Sequence, residues 1–104
     1  MSETLIEFEK LPWIEATGVR TKEYVRGDQK IRLVEFSEGF IEEDWCTKGH
    51  VGYVLEGSMD IDFNGEVISY TTGDALWIEE GEAEKHKVLI EAGGRVLLVL
   101  FEEL

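Results

Sequence analysis

Turn signals punctuate this chain about every eight to twelve residues, a spacing that suits short antiparallel strands and leaves little room for helices. They fall at Gly27-Asp28, Glu38-Gly39, Glu56-Gly57, Asn64-Gly65, Thr72-Gly73, Gly81 and Gly93-Gly94. Between them lie segments rich in β-branched and aromatic residues, which suit a pleated, half-buried surface. The strands predicted on this basis are Val19 to Val25, Lys30 to Phe36, His50 to Leu55, Met59 to Phe63, Glu66 to Tyr70, Ala75 to Ile78, His86 to Ile90 and Val96 to Phe101, with Phe40 to Trp45 as a candidate ninth.

Asn64-Gly65 is the strongest hairpin signal, because asparagine and glycine both tolerate the positive φ of a type I′ turn. Met59, Ile61 and Phe63 alternate with Ser58, Asp60 and Asp62, which directs one face inward and one to water. Val96 to Phe101 is apolar throughout. Two arrangements account for that: an ordinary central strand, or a strand with core on one side and a second subunit on the other. A homodimer is expected on the second. In the first eighteen residues, Leu5, Ile6, Phe8, Leu11 and Trp13 suit an irregular segment packed on a barrel, and Pro12 argues against a helix running through it. The expected organisation is therefore an N-terminal segment over residues 1–18 and an all-β barrel over 19–104.

Composition narrows the function classes. A chain of 104 residues with 43% hydrophobic content can bury one real core. Twenty-three acidic residues against ten basic ones give a formal charge of -13, which repels phosphate backbones and anionic lipid, so no nucleic-acid or membrane partner is expected. One cysteine cannot form an intrachain disulfide, and neither a signal-peptide pattern nor an apolar run of spanning length is present. A soluble, cytoplasmic protein is the expectation.

Two clusters carry the chemistry. The first runs Cys46-Thr47-Lys48-Gly49-His50-Val51-Gly52-Tyr53-Val54-Leu55-Glu56-Gly57. The second runs Gly73-Asp74-Ala75-Leu76-Trp77-Ile78-Glu79-Glu80-Gly81 and is followed by His86, the only other histidine. Asp44, Cys46, Lys48 and His50 are spaced by even numbers, so on an extended strand they project from one face. Each also has an ordinary structural role: a free cysteine is often a buried small hydrophobe, and a strand histidine is often a hydrogen-bonded core residue. Lys48 has the parity to meet a substrate carboxylate, but a lysine in a loop before a strand is ordinarily solvated. Tyr53, Trp77 and Phe63 are core aromatics by default, with Tyr53 and Trp77 as candidate pocket contacts.

The clusters resemble the paired motifs of the cupin superfamily, small jelly-roll β-barrels. The first family motif runs glycine, five residues, His-x-His, three or four residues, Glu, six residues, glycine. Here Gly39, four residues, Asp44-x-Cys46, three residues, His50, six residues and Gly57 keep the frame within one residue, with Asp44 and Cys46 at the histidine positions and His50 at the glutamate position. The second motif runs glycine, five residues, Pro-x-Gly, two residues, His, three residues, Asn. This chain offers Gly73, five residues, Glu79-x-Gly81, two residues and Glu84, with His86 two positions late. Either Glu84 or His86 fills the ligand position, and shared parity would let both face one side.

The resemblance implies a jelly-roll barrel with a metal site in its interior. Cys46, His50 and His86 are the expected ligands, with Asp44 and Glu84 as possible additions. A thiolate with imidazoles suits Zn, Fe, Ni or Cu, whereas Mg or Ca would demand more oxygen ligands. The function implied is binding of a divalent transition metal and a small polar molecule inside the barrel, as in a metal-dependent oxygenase or isomerase. A metal-free small-molecule binding or sensing module, and an interaction protein whose dimer surface matters more than its cavity, are the alternatives.

Overall fold

The computed structural model describes residues 4–104. Among these residues eight strands occur: β1 (Ile14–Ala16), β2 (Val19–Arg26), β3 (Gln29–Ser37), β4 (His50–Phe63), β5 (Glu66–Thr71), β6 (Ala75–Ile78), β7 (Lys87–Leu89) and β8 (Arg95–Glu103). All pairings are antiparallel, in the order β1-β2-β3-β8-β4-β5, with β6 and β7 also paired to β4. Single 3-10 turns occur at Phe8–Lys10 and Glu82–Glu84, and no helix among the described residues is long and apolar enough to cross a membrane.

The Asn64-Gly65 hairpin forms as expected. Both residues have positive φ, 58° and 112°, and Asp62 Oδ1 accepts the Gly65 N–H at 2.7 Å. The Glu56-Gly57 turn does not form. Instead of two strands, His50 to Leu55 and Met59 to Phe63, the chain builds one fourteen-residue strand. Its first half pairs with β6 and β8, and its second half with β5 and β7. The register against β8 slips between Val54 and Glu56, and Gly57 follows at φ +79°. A bulge next to a positive-φ glycine bends the strand while hydrogen bonding continues on both sides, so a turn-like sequence is used as a kink.

Phe40 to Trp45 is not a strand. Phe36 and Phe40 stack with ring centroids 4.5 Å apart, and the Glu42 carboxylate, not a backbone carbonyl, accepts the Val88 N–H at 2.8 Å. The segment is therefore fastened to β7 by a side chain. The start of the described chain lies on β2: Ile14 to Ala16 pair with Val19 to Thr21, Lys22 Nζ donates to the Phe8 carbonyl at 3.0 Å, and the Arg20 guanidinium sits 4.1 Å from the Trp13 ring centroid.

Alternation is present in β8 after all, hidden by uniformly apolar side chains. Val96, Leu98 and Leu100 face inward and are buried, while Leu97, Val99 and Phe101 face outward. The buried set is Val34, Val54, Met59, Ile61, Leu76, Ile78, Val96, Leu98 and Leu100. Each such side chain contributes roughly 1.5 to 3 kcal/mol when fully buried. On the outer face, cross-strand register lines up Trp77, Val51, Phe101 and Ile31 in one row and Ala75, Tyr53, Val99 and Leu33 in the next. Trp77 is 73% exposed, Phe101 51% and Tyr53 44%.

A Cβ added at Gly57 would overlap the Arg95 carbonyl oxygen in a backbone conformation that side chains avoid. Gly57→Ala should therefore cost about 2 kcal/mol or more. Urea unfolding followed by tryptophan fluorescence measures this, and Gly65→Ala, where nothing lies within reach of the added carbon, is the milder reference.

Candidate metal centre

Cys46 and His86 are brought together by backbone pairing, not by proximity in sequence. They form an isolated antiparallel bridge in which Cys46 N–H donates to the His86 carbonyl at 2.9 Å and His86 N–H donates to the Cys46 carbonyl at 3.0 Å. Directly opposed residues in such a pair carry side chains on one side of the sheet. His50 opens β4 four residues later, with Nε2 3.8 Å from Cys46 Sγ. The His50 and His86 rings meet edge to face with centroids 5.2 Å apart. One donor atom from each of the three lies within 4.8 Å of the others. A tetrahedral ion with bonds of about 2.0 to 2.3 Å holds its ligands about 3.3 to 3.8 Å apart, somewhat closer than the 4.8 Å span of these donor atoms.

The ring nitrogens are already sorted. His86 is 2% exposed, and its Nδ1–H donates to the Glu84 carbonyl at 3.0 Å, which leaves Nε2 as the free nitrogen. His50 Nδ1 is buried and makes no well-formed hydrogen bond, yet it lies 3.3 Å from Glu102 Oε2. The distance is within reach and only the alignment is poor. A carboxylate beside the second ring nitrogen is the neighbour that commonly orients a metal-ligating imidazole. Glu102 is itself fixed by Arg32, whose Nε and one Nη donate to its two oxygens at 2.9 Å each. Burial pushes the Glu102 carboxyl up, but the close His50 ring and the Arg32 guanidinium with its two hydrogen bonds outweigh it and hold the group down at about 2.

These residues stand at a cavity of about 380 Å³ inside the curl of the sheet. Its wall is mostly apolar, from Val34, Met59, Ile61, Leu76, Ile78, Leu98 and Leu100 among others. Cys46, His50 and His86 are joined in the lining by Arg32, Glu42 and Lys48.

Of the candidates named from sequence, Cys46, His50 and His86 converge. Asp44 is exposed and lines no part of the cavity. Glu84 belongs to the 3-10 turn, not to a strand with His86, so the shared-parity argument does not apply. Its carboxylate accepts the Glu79 N–H at 2.7 Å outside the cavity lining. Tyr53 and Trp77 lie on the outer face because Gly52, Val54, Leu76 and Ile78 take the inward positions of their strands. Glu102, Arg32 and Glu42 were missed. The first two were recoverable: Arg32 has the parity of Val34, and Glu102 that of Leu98 and Leu100, so two charges sit at inward positions of apolar strands.

No family model matches the chain, and no curated protein matches it. Solved structures do. KdgF from a Halomonas species superposes with a TM-score of 0.76 at 18% identity, covering 99% of this chain and 96% of its own. The polyketide cyclase RemF from Streptomyces resistomycificus gives 0.78 at 18% identity, covering 96% and 78%. An RmlC-like cupin from Shewanella frigidimarina gives 0.70 at 17% identity over 96% and 91%. The fold is that of the cupins. At these identities the likeness establishes the architecture, and the activity of a cupin barrel has to be argued from the residues inside it.

Because the folded-state carboxyl of Glu102 sits below its ordinary value of 4.5, its ion pairs stabilise the fold above that pH, and the contribution drains away as pH falls toward about 2. Glu102→Gln should lower stability at neutral pH and flatten the stability profile across that acid window, as measured by thermal melts in a pH series.

Proposed function

We propose that this cupin binds a divalent transition metal through Cys46, His50 and His86 and holds a small molecule beside it in the cavity. The observation that carries the reading is the convergence of one thiol and two imidazoles, from separate parts of the chain, at the wall of a largely apolar chamber. Sulfur and nitrogen donors favour Zn, Fe, Ni or Cu over Mg or Ca. A metal held by these three residues would supply Lewis acidity, the chemistry of a metal-dependent isomerase or oxygenase. The chain's own part is positional. The Glu84 carbonyl fixes the His86 tautomer, Glu102, held by Arg32, stands 3.3 Å from His50 Nδ1, and a mostly aliphatic wall surrounds the site.

One observation favours a second reading. The 3.8 Å contact between Cys46 Sγ and His50 Nε2 is also an ordinary thiol–imidazole hydrogen bond, which would satisfy both groups in a metal-free binding or sensing module. Elemental analysis of protein purified without an affinity tag separates the two. The metal reading expects close to one transition metal per chain, lost in His86→Ala and Cys46→Ser, whereas protein that stays empty on titration with Zn, Fe, Ni and Cu supports the module.

We also propose that a second copy of the chain covers the outer apolar face. Trp77, Val51, Phe101, Tyr53 and Val99 form adjacent cross-strand rows on the outer face, and Trp77, Phe101, Tyr53 and Val51 among them are exposed. In a two-fold dimer the same patch of each copy would face its counterpart. Sedimentation should give a dimer for the native chain and a folded monomer for Phe101→Glu, while a native monomer at high micromolar concentration removes the proposal.

A further inference from the structure

The chain carries ten lysines and arginines among twenty-three acidic residues, and nearly every cation has a partner. Lys10 pairs with Glu7, Arg20 and Arg95 with Glu35, Lys30 with Glu23 and Glu102, Arg32 with Glu102, and Lys85 with Glu82. Lys22 donates to the Phe8 carbonyl, Arg26 donates to the Tyr24 hydroxyl, and Lys87 lies over the Trp45 ring. Among the described residues, Lys48 alone has none, and it lines the cavity that holds Cys46, His50 and His86.

Its backbone is held in place. On one side, the Thr47 carbonyl accepts the Gly81 N–H at 2.8 Å. On the other, Gly49 packs so closely that an added Cβ would stand 3.0 Å from the Ile78 carbonyl oxygen and 3.1 Å from the Glu80 nitrogen. The Lys48 stem is thus presented from a loop fastened at both neighbours. The other charges of the lining are committed: Arg32 to Glu102 through two hydrogen bonds, and Glu42 Oε1 to the Val88 N–H. Lys48, exposed at the cavity, keeps three ammonium donors uncommitted beside a mostly apolar wall.

We infer that the cavity takes a small carboxylic acid with an apolar body, its carboxylate held by Lys48 and its hydrocarbon part against Val34, Met59, Ile61, Leu76 and Leu98. The chamber's 380 Å³ accommodates an acid of the size of phenylacetate or hexanoate. This rests on the cavity being the ligand site, as proposed above, and not on the metal. Lys48 is itself exposed, and its charge-assisted hydrogen bond to the carboxylate is the discriminating contact, so a neutral isostere of the same shape should bind on the order of tenfold more weakly.

The test is calorimetric titration of the full chain, both zinc-loaded and chelator-treated, with phenylacetate and hexanoate against phenylacetamide and hexanamide. The acids should bind on the order of tenfold tighter than their amides; Lys48→Gln should erase that preference with amide affinity unchanged, and Lys48→Arg should keep it. Equal binding of acid and amide, a preference that survives in Lys48→Gln, or no binding of either acid at millimolar concentration overturns the inference. Acid preference through Lys48 in protein that stays empty on titration with Zn, Fe, Ni and Cu upholds it while removing the metal reading. One zinc per chain without acid preference does the reverse.

Discussion

The architecture depends on a single strand belonging to two sheets. Strand β4 pairs with β6 and β8 over its first half and with β5 and β7 over its second, and the bend between the halves is made by the Val54/Glu56 slip and the positive φ of Gly57. A straight strand would give an open sheet. The bend turns the sheet back on itself, encloses the cavity and puts His50, at the start of β4, within reach of His86, which immediately precedes β7. The Cys46–His86 bridge, with two backbone hydrogen bonds, sets both side chains in the lining of that cavity.

Much of this was legible in the amino-acid sequence, for identifiable reasons. Strand positions followed from turn residues and β-branched runs, and the Asn64-Gly65 hairpin from a local conformational requirement that few residue pairs meet. Glu56-Gly57 was misleading because a glycine with positive φ serves a bulge as well as a turn, and only long-range pairing decides which. Alternation in β8 was invisible because both faces are apolar: the inner one packs the core and the outer one belongs to an exposed patch. Ile14 to Ala16 is a strand only by virtue of its partner β2, a pairing that three residues cannot announce.

The candidate site was legible in part. The motif frame offered Cys46 and His50 with either Glu84 or His86, and the structure brings the donor atoms of Cys46, His50 and His86 within 4.8 Å. Spacing could not choose between Glu84 and His86, because parity presumes an extended chain and the 3-10 turn at Glu82–Glu84 breaks it. It likewise gave Tyr53 and Trp77 no side of the sheet until the register of β4 and β6 was known. Glu102 lies 52 residues beyond His50 and reaches it through the pairing of β8 with β3 and β4, a relation that exists only once the sheet is assembled.

Seven of the nine buried apolar residues, Val34, Met59, Ile61, Leu76, Ile78, Leu98 and Leu100, are also walls of the cavity. Folding and recognition therefore draw on the same atoms. A methylene gained or lost at any of these positions changes the shape of the chamber as it changes the packing of the barrel. In a barrel this small, selectivity for the occupant and thermodynamic robustness cannot drift independently: each substitution inside alters both at once.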